Sequence, residues 1–121
     1  MINYKRLDHI HISVPPERLE EARAFYADVM GLKPITRPDD GLGDKGYWFT
    51  MVGIELHLGV EPAIARHTRH FALEVTDVKA ARKYLEANGV EPQNQSLIPG
   101  RERFSFFDPF GNRIELVEFL S

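Results

Sequence analysis

The two halves of the chain repeat the same order of sequence features. The stretches from His9 to Pro34 and from His70 to Pro92 each contain an alternating strand, a link, a helix and the pattern Gly-hydrophobic-x-Pro. A later pair of matching pieces, each containing Ile-Glu-Leu, makes Glu55 correspond to Glu115. A period of about 60 residues indicates one structural unit used twice. We therefore expect a single domain, residues 1–121, built from unit one at about 5–60 and unit two at about 66–120.

Hydrophobic alternation and helix-ending residues predict the same βαβββ order in each unit. In unit one, strands are predicted at 8–14, 35–37, 46–51 and 54–60, with a helix at 17–30. In unit two, strands are predicted at 70–75, 101–107 and 113–119, with a helix that Asp77 caps and that runs to Asn88. Gly31 and Gly89 follow the two helices, as is common at helix ends. The fold class predicted is α+β.

Composition and charge limit the kinds of partner. The 121 residues carry 15 basic and 18 acidic side chains, a net charge of -3, without a long run of either sign. This disfavours nucleic acid or an anionic membrane as the main partner and favours a small molecule. The chain has no cysteine, which excludes disulfides, thiolate metal ligands and cysteine nucleophiles. No apolar run resembles a signal peptide or a membrane span, so we expect a cytoplasmic location.

The predicted strands place histidines and carboxylates on the face opposite the aliphatic residues. Alternation sends successive side chains of a strand to opposite faces. The polar face carries His9, His11, Glu55, His57, His70, Glu74, Arg113 and Glu115. Imidazole nitrogen and carboxylate oxygen are the ligands expected for a divalent Zn, Ni, Co, Mn or Fe ion. We predict that one such ion is bound by the repeat-related set, which is His9, Glu55, His70 and Glu115.

A plainer interpretation exists for each of these polar residues. A histidine on a strand is most often a solvated side chain, and a strand glutamate commonly faces water. We favour that interpretation for His11, His57 and Glu74. It does not explain why both halves carry matching residue types at corresponding positions, so we favour the metal site for the four repeat-related residues.

Three segments resemble the signatures of a known superfamily. They are Leu7-Asp-His-Ile-His-Ile-Ser-Val, then Ala24-Phe-Tyr with Met30-Gly-Leu, and the closing Asp108-Pro-Phe-Gly-Asn-Arg-Ile-Glu-Leu. Together they resemble the vicinal oxygen chelate superfamily, which includes glyoxalase I, methylmalonyl-CoA epimerase, extradiol dioxygenases, fosfomycin-resistance transferases and metal-free bleomycin-binding proteins. The resemblance covers nearly the whole chain. It implies two βαβββ units forming a curved mixed β-sheet cup with helices on the outer face, often completed as a homodimer.

The resemblance also implies a function. Glyoxalase I and the epimerase use a four-ligand metal set, and His9, Glu55, His70 and Glu115 match its positions. We therefore expect a glyoxalase I-like lyase or isomerase, in which a mononuclear divalent metal chelates vicinal oxygens of a small substrate and stabilises an enediolate. Glu115 is expected to be the catalytic base, with Glu55 as the alternative. His11 and His57, each two residues from a proposed ligand, could orient a ligand or contact the substrate.

Other branches of the superfamily remain open alternatives. An Fe(II)-dependent dioxygenase or a thiol transferase would use two histidines and one glutamate, and would fit if Glu55 stayed unbound. A metal-free protein that binds an antibiotic or an aromatic ligand would need none of the four as ligands. The native metal, the substrate and any thiol cofactor are not indicated by the sequence. Loops at 36–46 and 95–101 are expected to supply a lid and substrate contacts.

Overall fold

The part of the chain that the structure describes forms two four-stranded β-sheets, one in each half. The computed structural model describes residues 1–38, 45–63 and 65–121. The chain divides into two compact units, Met1–Ala63 and Ile64–Ser121. Among the residues that the structure describes, no helix is long and apolar enough to cross a membrane.

Unit one contains one mixed sheet. Its strands are β1 (His9–Val14), β2 (Lys33–Ile35), β3 (Tyr47–Met51) and β4 (Ile54–Val60). Their order in the sheet is β1-β4-β3-β2, with β1 parallel to β4 and the other neighbours antiparallel. Val52 and Gly53 turn the chain from β3 into β4, as predicted, and both have positive φ angles. The short strand predicted at 35–37 lies two residues earlier, and most of the predicted loop that follows it, residues 39–44, is outside the described residues.

The helical segment of unit one is less regular than its sequence predicts. It begins with a 3-10 turn at Pro16–Arg18, continues as α1 (Leu19–Ala24) and ends in a π-helical turn at Phe25–Val29. The π turn is closed by a 3.0 Å hydrogen bond from the Met30 amide to the Phe25 carbonyl, five residues back. Gly31 follows with a φ of 71°. The predicted span of 17–30 is therefore confirmed, while a single regular α-helix is wrong.

Unit two contains a sheet with the same strand order as unit one. Its elements are β5 (His70–Glu74), α2 (Val78–Ala87), β6 (Gln93–Asn94), β7 (Arg101–Phe107) and β8 (Arg113–Phe119). The order is β5-β8-β7-β6, again with a parallel first pair. Asp77 caps α2 by accepting a 2.9 Å hydrogen bond from the Ala80 amide, as predicted. The shared order confirms the βαβββ plan of both units, including a strand, β6, that the sequence pattern did not reveal.

The turn between β7 and β8 is organised by one buried carboxylate. Asp108 is 2% exposed, and its Oδ1 accepts hydrogen bonds from the Phe110 amide at 2.9 Å and the Asn112 amide at 2.8 Å. Its Oδ2 accepts from the Asn112 side-chain amide at 2.9 Å. Gly111 completes the turn with a φ of 95°. This motif fixes the start of β8, and so the positions of the polar residues on that strand.

Each sheet has one apolar face, which is covered by its helix, and one polar face. In unit one, the ring of Tyr26 on the helical segment lies 6.4 Å from the ring of Phe49 on β3. In unit two, α2 packs against β7 and β8. The core residues of unit one are Val14, Leu19, Ala22, Phe25, Tyr26, Phe49, Met51, Leu56 and Leu58; those of unit two are Val78, Leu85, Phe104, Phe106, Phe110, Ile114, Leu116 and Val117. Burial of these side chains is the main stabilising contribution to both units.

Candidate functional site

The sheet registers bring the predicted site residues onto one face within each unit. In unit one, His9 lies opposite Glu55 and His11 lies opposite His57. Residues opposite each other on neighbouring strands share a face, so all four project to the same side. In unit two, His70 lies opposite Arg113, and Glu115 is two residues further along β8 on the same face. Each unit therefore presents one histidine and one glutamate of the predicted ligand set on its polar face.

The two half-sites are not equivalent in register, although the sequence repeat suggested that they would be. Glu55 lies directly opposite His9, whereas Glu115 lies opposite Ala72, two residues beyond His70. Glu55 and Glu115 thus correspond in the order of motifs but not in their strand pairing. This difference arises because the pairing of β5 with β8 is offset by two residues from that of β1 with β4.

Half-site one is a stack of three rings beside a glutamate. The His57 ring lies between those of Trp48, at 3.8 Å, and His9, at 4.1 Å. His57 Nε2 is 2.9 Å from Glu55 Oε1, and since the carboxylate accepts, the ring nitrogen donates. Only 8% of His57 is exposed. Its predicted role as a solvated side chain is therefore wrong, and it instead holds the Glu55 carboxylate in place.

The His9 ring is oriented by its neighbour in sequence. His9 Nδ1 is 2.8 Å from Asp8 Oδ2. This hydrogen bond is the main cause of the lowered pKa of the Asp8 carboxyl group, and the positive charge of Arg6 contributes. Because the carboxylate can only accept, Nδ1 carries the proton. In the neutral imidazole, Nε2 is then left as the atom with a lone pair.

Half-site two is built around a buried glutamate. The Glu115 side chain is 9% exposed, and its Oε1 is 3.3 Å from His70 Nε2 and 3.2 Å from Arg103 Nη1. His70 Nδ1 donates to the Thr68 carbonyl at 2.9 Å, so Nε2 is again the lone-pair atom of the neutral ring. Arg113 Nη1 donates to the same carbonyl at 3.3 Å. Backbone and guanidinium groups thus fix both the histidine and the glutamate.

These two half-sites have the donor chemistry that a divalent metal requires. Histidine ligands of metals characteristically donate one ring N–H to a carboxylate or carbonyl and present the other nitrogen to the ion, as His9 and His70 are arranged to do. In half-site two, His70 Nε2 and Glu115 Oε1 lie 3.3 Å apart, and Arg103 Nη1 balances the carboxylate charge from 3.2 Å. Two ligand atoms of one ion, each bonded at about 2.1 Å, are typically about 3.0–3.4 Å apart. The residues therefore fit a metal.

Neither half-site is a complete metal site. Within the described residues, no group of three or more His, Asp or Glu side chains is close enough to hold an ion. Each unit by itself brings together two of the four predicted ligands. Two protein ligands are fewer than the three or four usual for a mononuclear Zn site.

A cavity of about 520 Å³ lies beside half-site one. Its lining includes His11, Trp48 and His57. His11 lies against Gly59, where an added Cβ would come within 2.5 Å of the imidazole ring. The cavity also includes Arg37, Pro38 and Lys45, which flank the undescribed residues 39–44. His11 is therefore placed to contact a molecule in this cavity, while most of the predicted lid at 36–46 lies outside the described residues.

Two residues of the half-sites were not anticipated from the sequence. Trp48 had no assigned role, although its position opposite His57 in the β3–β4 hairpin follows from alternation. Arg103 was overlooked as the partner of Glu115. Alternation along β7 puts Arg103 and Ser105 on the face opposite Phe104 and Phe106, and this signal was available in the sequence.

Comparison with known proteins places the chain in a family. The model of the Glyoxalase/Bleomycin resistance protein/Dioxygenase superfamily matches residues 6–116. The chain belongs to this superfamily. The resemblance predicted from its motifs, and the α+β fold class, are thereby confirmed.

Several glyoxalase-superfamily relatives are similar over most of the chain. A protein of Arabidopsis thaliana named Glyoxylase I 4 is 29% identical over 118 residues, which cover 88% of this chain and 67% of that protein. A crystal structure of a Bacillus anthracis protein provisionally assigned to the glyoxalase family is 35% identical, with a TM-score of 0.88 and coverage of 98% and 99%. The E126Q mutant of the fosfomycin resistance protein FosX from Listeria monocytogenes is 20% identical, with a TM-score of 0.80 and coverage of 94% and 92%; it was solved with Mn(II) and 1S,2S-dihydroxypropylphosphonic acid.

Proposed function

We propose that this glyoxalase-superfamily chain is a metal-dependent enzyme of the glyoxalase I type, a lyase or isomerase that acts on a small substrate with two neighbouring oxygens. The two units act as one functional domain, and His9, Glu55, His70 and Glu115 together hold one divalent ion. The observation that carries the proposal is the 3.3 Å approach of His70 Nε2 to Glu115 Oε1, with His70 Nδ1 already donating to a carbonyl. Superfamily membership and the manganese ion of the FosX structure support it.

The surrounding residues prepare the four ligands for this role. Asp8 and the Thr68 carbonyl fix the two imidazoles so that Nε2 is presented. His57 donates to Glu55, and Arg103 donates to Glu115. Partners of this kind, one step removed from a metal, orient the ligands and strengthen binding.

A bound divalent ion supplies Lewis-acid stabilisation of the negative charge that develops on two neighbouring substrate oxygens as a proton is removed. Glu115 is proposed to take that proton. It is buried, its position is fixed by Arg103, and a carboxylate shielded from water is a suitable general base. Glu55 is the alternative base; its side chain is 39% exposed, and its carboxylate is held by His57.

A metal-free binding protein is the second candidate. The observation that favours it is the cavity of about 520 Å³ beside the Trp48–His57–His9 stack, which would suit an aromatic ligand without any ion. The Fe(II) dioxygenase and the thiol transferase are tested by the same measurements as the main proposal, because each would leave Glu55 out of the ligand set.

The deciding experiment is metal analysis of the full chain purified without a metal-affinity tag. About one ion per chain is expected, and His9→Ala, Glu55→Ala, His70→Ala or Glu115→Ala should each weaken its binding by at least about 100-fold. Glu74→Ala is the matched control, because Glu74 is an exposed carboxylate on the same strand as His70. Circular dichroism shows whether each variant remains folded.

The pattern of losses separates the candidates. Two results together support the glyoxalase I type. The ion is lost in all four alanine variants, and the unaltered chain turns over dicarbonyl–thiol adducts whereas Glu115→Gln does not. If Glu55→Ala is the one variant of the four that retains the ion, the site has two histidines and one carboxylate, which points to the dioxygenase or transferase branch. No ion, and no uptake of added Zn, Ni, Co, Mn or Fe, refutes the metal-dependent proposal and leaves the binding protein.

A further inference from the structure

A cationic groove lies at the open edge of the sheet in unit two. β6 is two residues long and pairs only with Ser105 and Phe104, so the first part of β7 extends beyond it. Beside that exposed edge is a cavity of about 300 Å³. We call it the edge groove; the lining residues that matter here are Lys79, Arg82, Arg101, Glu102, Arg103 and Phe104.

More cationic than acidic side chains face the groove. Four of these lining residues are cationic and one, Glu102, is acidic. The adjacent acidic side chain on β8, Glu118, lies opposite Glu102 and accepts a hydrogen bond from the Val78 amide. With Glu118 and the Glu115 carboxylate that pairs with Arg103 included, four cationic groups face three carboxylates, so a small excess of positive charge remains at the groove. A concave site lined mainly by one sign of charge attracts ligands of the other sign.

Most of the groove's guanidinium groups contact neutral partners. Arg82 Nη2 donates to Asn94 Oδ1 at 2.8 Å, and its guanidinium lies 5.4 Å from the centre of the Phe104 ring. The Arg101 guanidinium lies 4.7 Å from the centre of the Phe119 ring. Arg103 is the one that pairs with a carboxylate, that of Glu115. The neutral contacts of Arg82 and Arg101 hold these two side chains in place without cancelling their charge.

One donor atom on each of two groove arginines is unpaired. Among the described residues, the buried Nε atoms of Arg101 and Arg103 have no hydrogen-bond partner, although Arg103 donates through Nη1 to Glu115 and through Nη2 to Ser96. Buried donors in folded proteins are nearly always paired, with protein, water or ligand. An anion with several oxygens is the kind of acceptor that a guanidinium group binds best, through two parallel N–H donors.

We propose that the edge groove binds the phosphate group of a small molecule. The volume of about 300 Å³ suits a phosphate with a short organic portion, for which Val78 and Phe104 provide apolar surface. A dianionic phosphate offers enough oxygens to be shared by arginine and lysine side chains approaching from α2 and from β7. The proposal does not depend on the metal site, although Arg103 contacts both the groove and Glu115.

The test is a titration of the full, metal-free chain with inorganic phosphate and with methyl phosphate, followed by amide NMR shifts. Saturable shifts are expected at 79–82, 95–98 and 101–103. The double variant Lys79→Gln/Arg101→Gln should weaken binding by at least about tenfold, since charge-assisted hydrogen bonds are lost. Lys83→Gln is the matched control for the single variant Lys79→Gln, because each removes one positive charge from α2 and Lys83 is exposed outside the groove. Arg103 is left unchanged because it also holds Glu115.

Each outcome bears on the proposal. A phosphate subsite for an organic ligand is supported if both probes bind, and if this binding is lost in the double variant and kept in Lys83→Gln. A site for the free anion is supported if inorganic phosphate binds and methyl phosphate does not. Equal weakening in Lys83→Gln, shifts that map elsewhere, or no saturation overturns it. If the double variant fails to fold, Lys79→Gln alone provides the comparison, because Lys79 is exposed. Since no metal is present, a negative result leaves the proposed metal site untouched.

Discussion

The turn at Asp108 provides a quantitative test of how the superfamily motif stabilises the fold. Replacing Asp108 with alanine removes three hydrogen bonds to a buried carboxylate and leaves the Phe110 and Asn112 amides without that acceptor. A hydrogen bond to a charged group contributes about 1.5–3 kcal/mol, and such losses are not additive. We expect Asp108→Ala to lower the free energy of unfolding by about 3–4 kcal/mol.

Asparagine at the same position separates the two carboxylate oxygens. Asp108→Asn keeps an oxygen that can accept from both backbone amides, but places an NH₂ group against the donating side-chain amide of Asn112. The expected loss is about 1–2 kcal/mol. Asn112→Ala removes the opposing side-chain donor. In a chain that already carries Asn112→Ala, Asp108→Asn should therefore lower the free energy of unfolding by less than it does in the unaltered chain.

The assay is urea unfolding followed by far-UV circular dichroism, which reports on both units. For a chain of this size, 1 kcal/mol corresponds to a change in melting temperature of about 4 °C, so thermal unfolding gives an independent check. The reasoning is refuted if Asp108→Ala costs less than about 1 kcal/mol, or if Asp108→Asn is as damaging as Asp108→Ala. The first result would show that hairpin pairing alone holds the turn.

Two further predictions concern unit one. His57→Ala should weaken divalent-ion binding about tenfold, because the Glu55 carboxylate loses its hydrogen-bond donor. His57→Gln should recover part of that loss. The affinity is measured by competition with a chromogenic chelator, and an unchanged value in His57→Ala would contradict the positioning role of His57. Tyr47→Phe should raise the pKa of Glu20 toward its ordinary value, because the hydrogen bond from Tyr47 is the main cause of its lowering, with Arg23 contributing. The folded pKa of Glu20 lies below its unfolded value. The stabilisation of the fold by the Tyr47–Glu20 hydrogen bond is therefore present above the unfolded pKa and is lost as the pH falls through the folded pKa. An NMR titration of Glu20 that shows no change would contradict the assignment.

The sequence predicted the elements of the fold well where alternation or helix signals were strong. Of the eight strands in the described ranges, seven lie within a few residues of their predicted positions, as do the two helical segments. β6 was missed because Gln93 and Asn94 are too short a run to show alternation, and their strand character comes only from pairing with β7. The π turn at Phe25–Val29 was missed because local periodicity does not distinguish it from an ordinary last helical turn.

The candidate site was predictable in its residue types but not in its contacts. Alternation correctly put the histidines and glutamates on one face of each sheet. The offset between Glu55 and Glu115 in strand register was not predictable, because it depends on how two distant strands pair. The partnership of Arg103 with Glu115 has the same origin, since it runs diagonally between neighbouring strands.

The ring stack in half-site one gives the molecule a built-in optical reporter. The chain has a single tryptophan, Trp48, and its indole lies flat on His57 at 3.8 Å with an interplanar angle of 3°. Excited indole is sensitive to the protonation and position of a ring so close to it. Intrinsic tryptophan fluorescence therefore reports events at Glu55 and His57 without any label. A change in that signal on addition of a ligand or a metal ion is a direct readout of binding at half-site one.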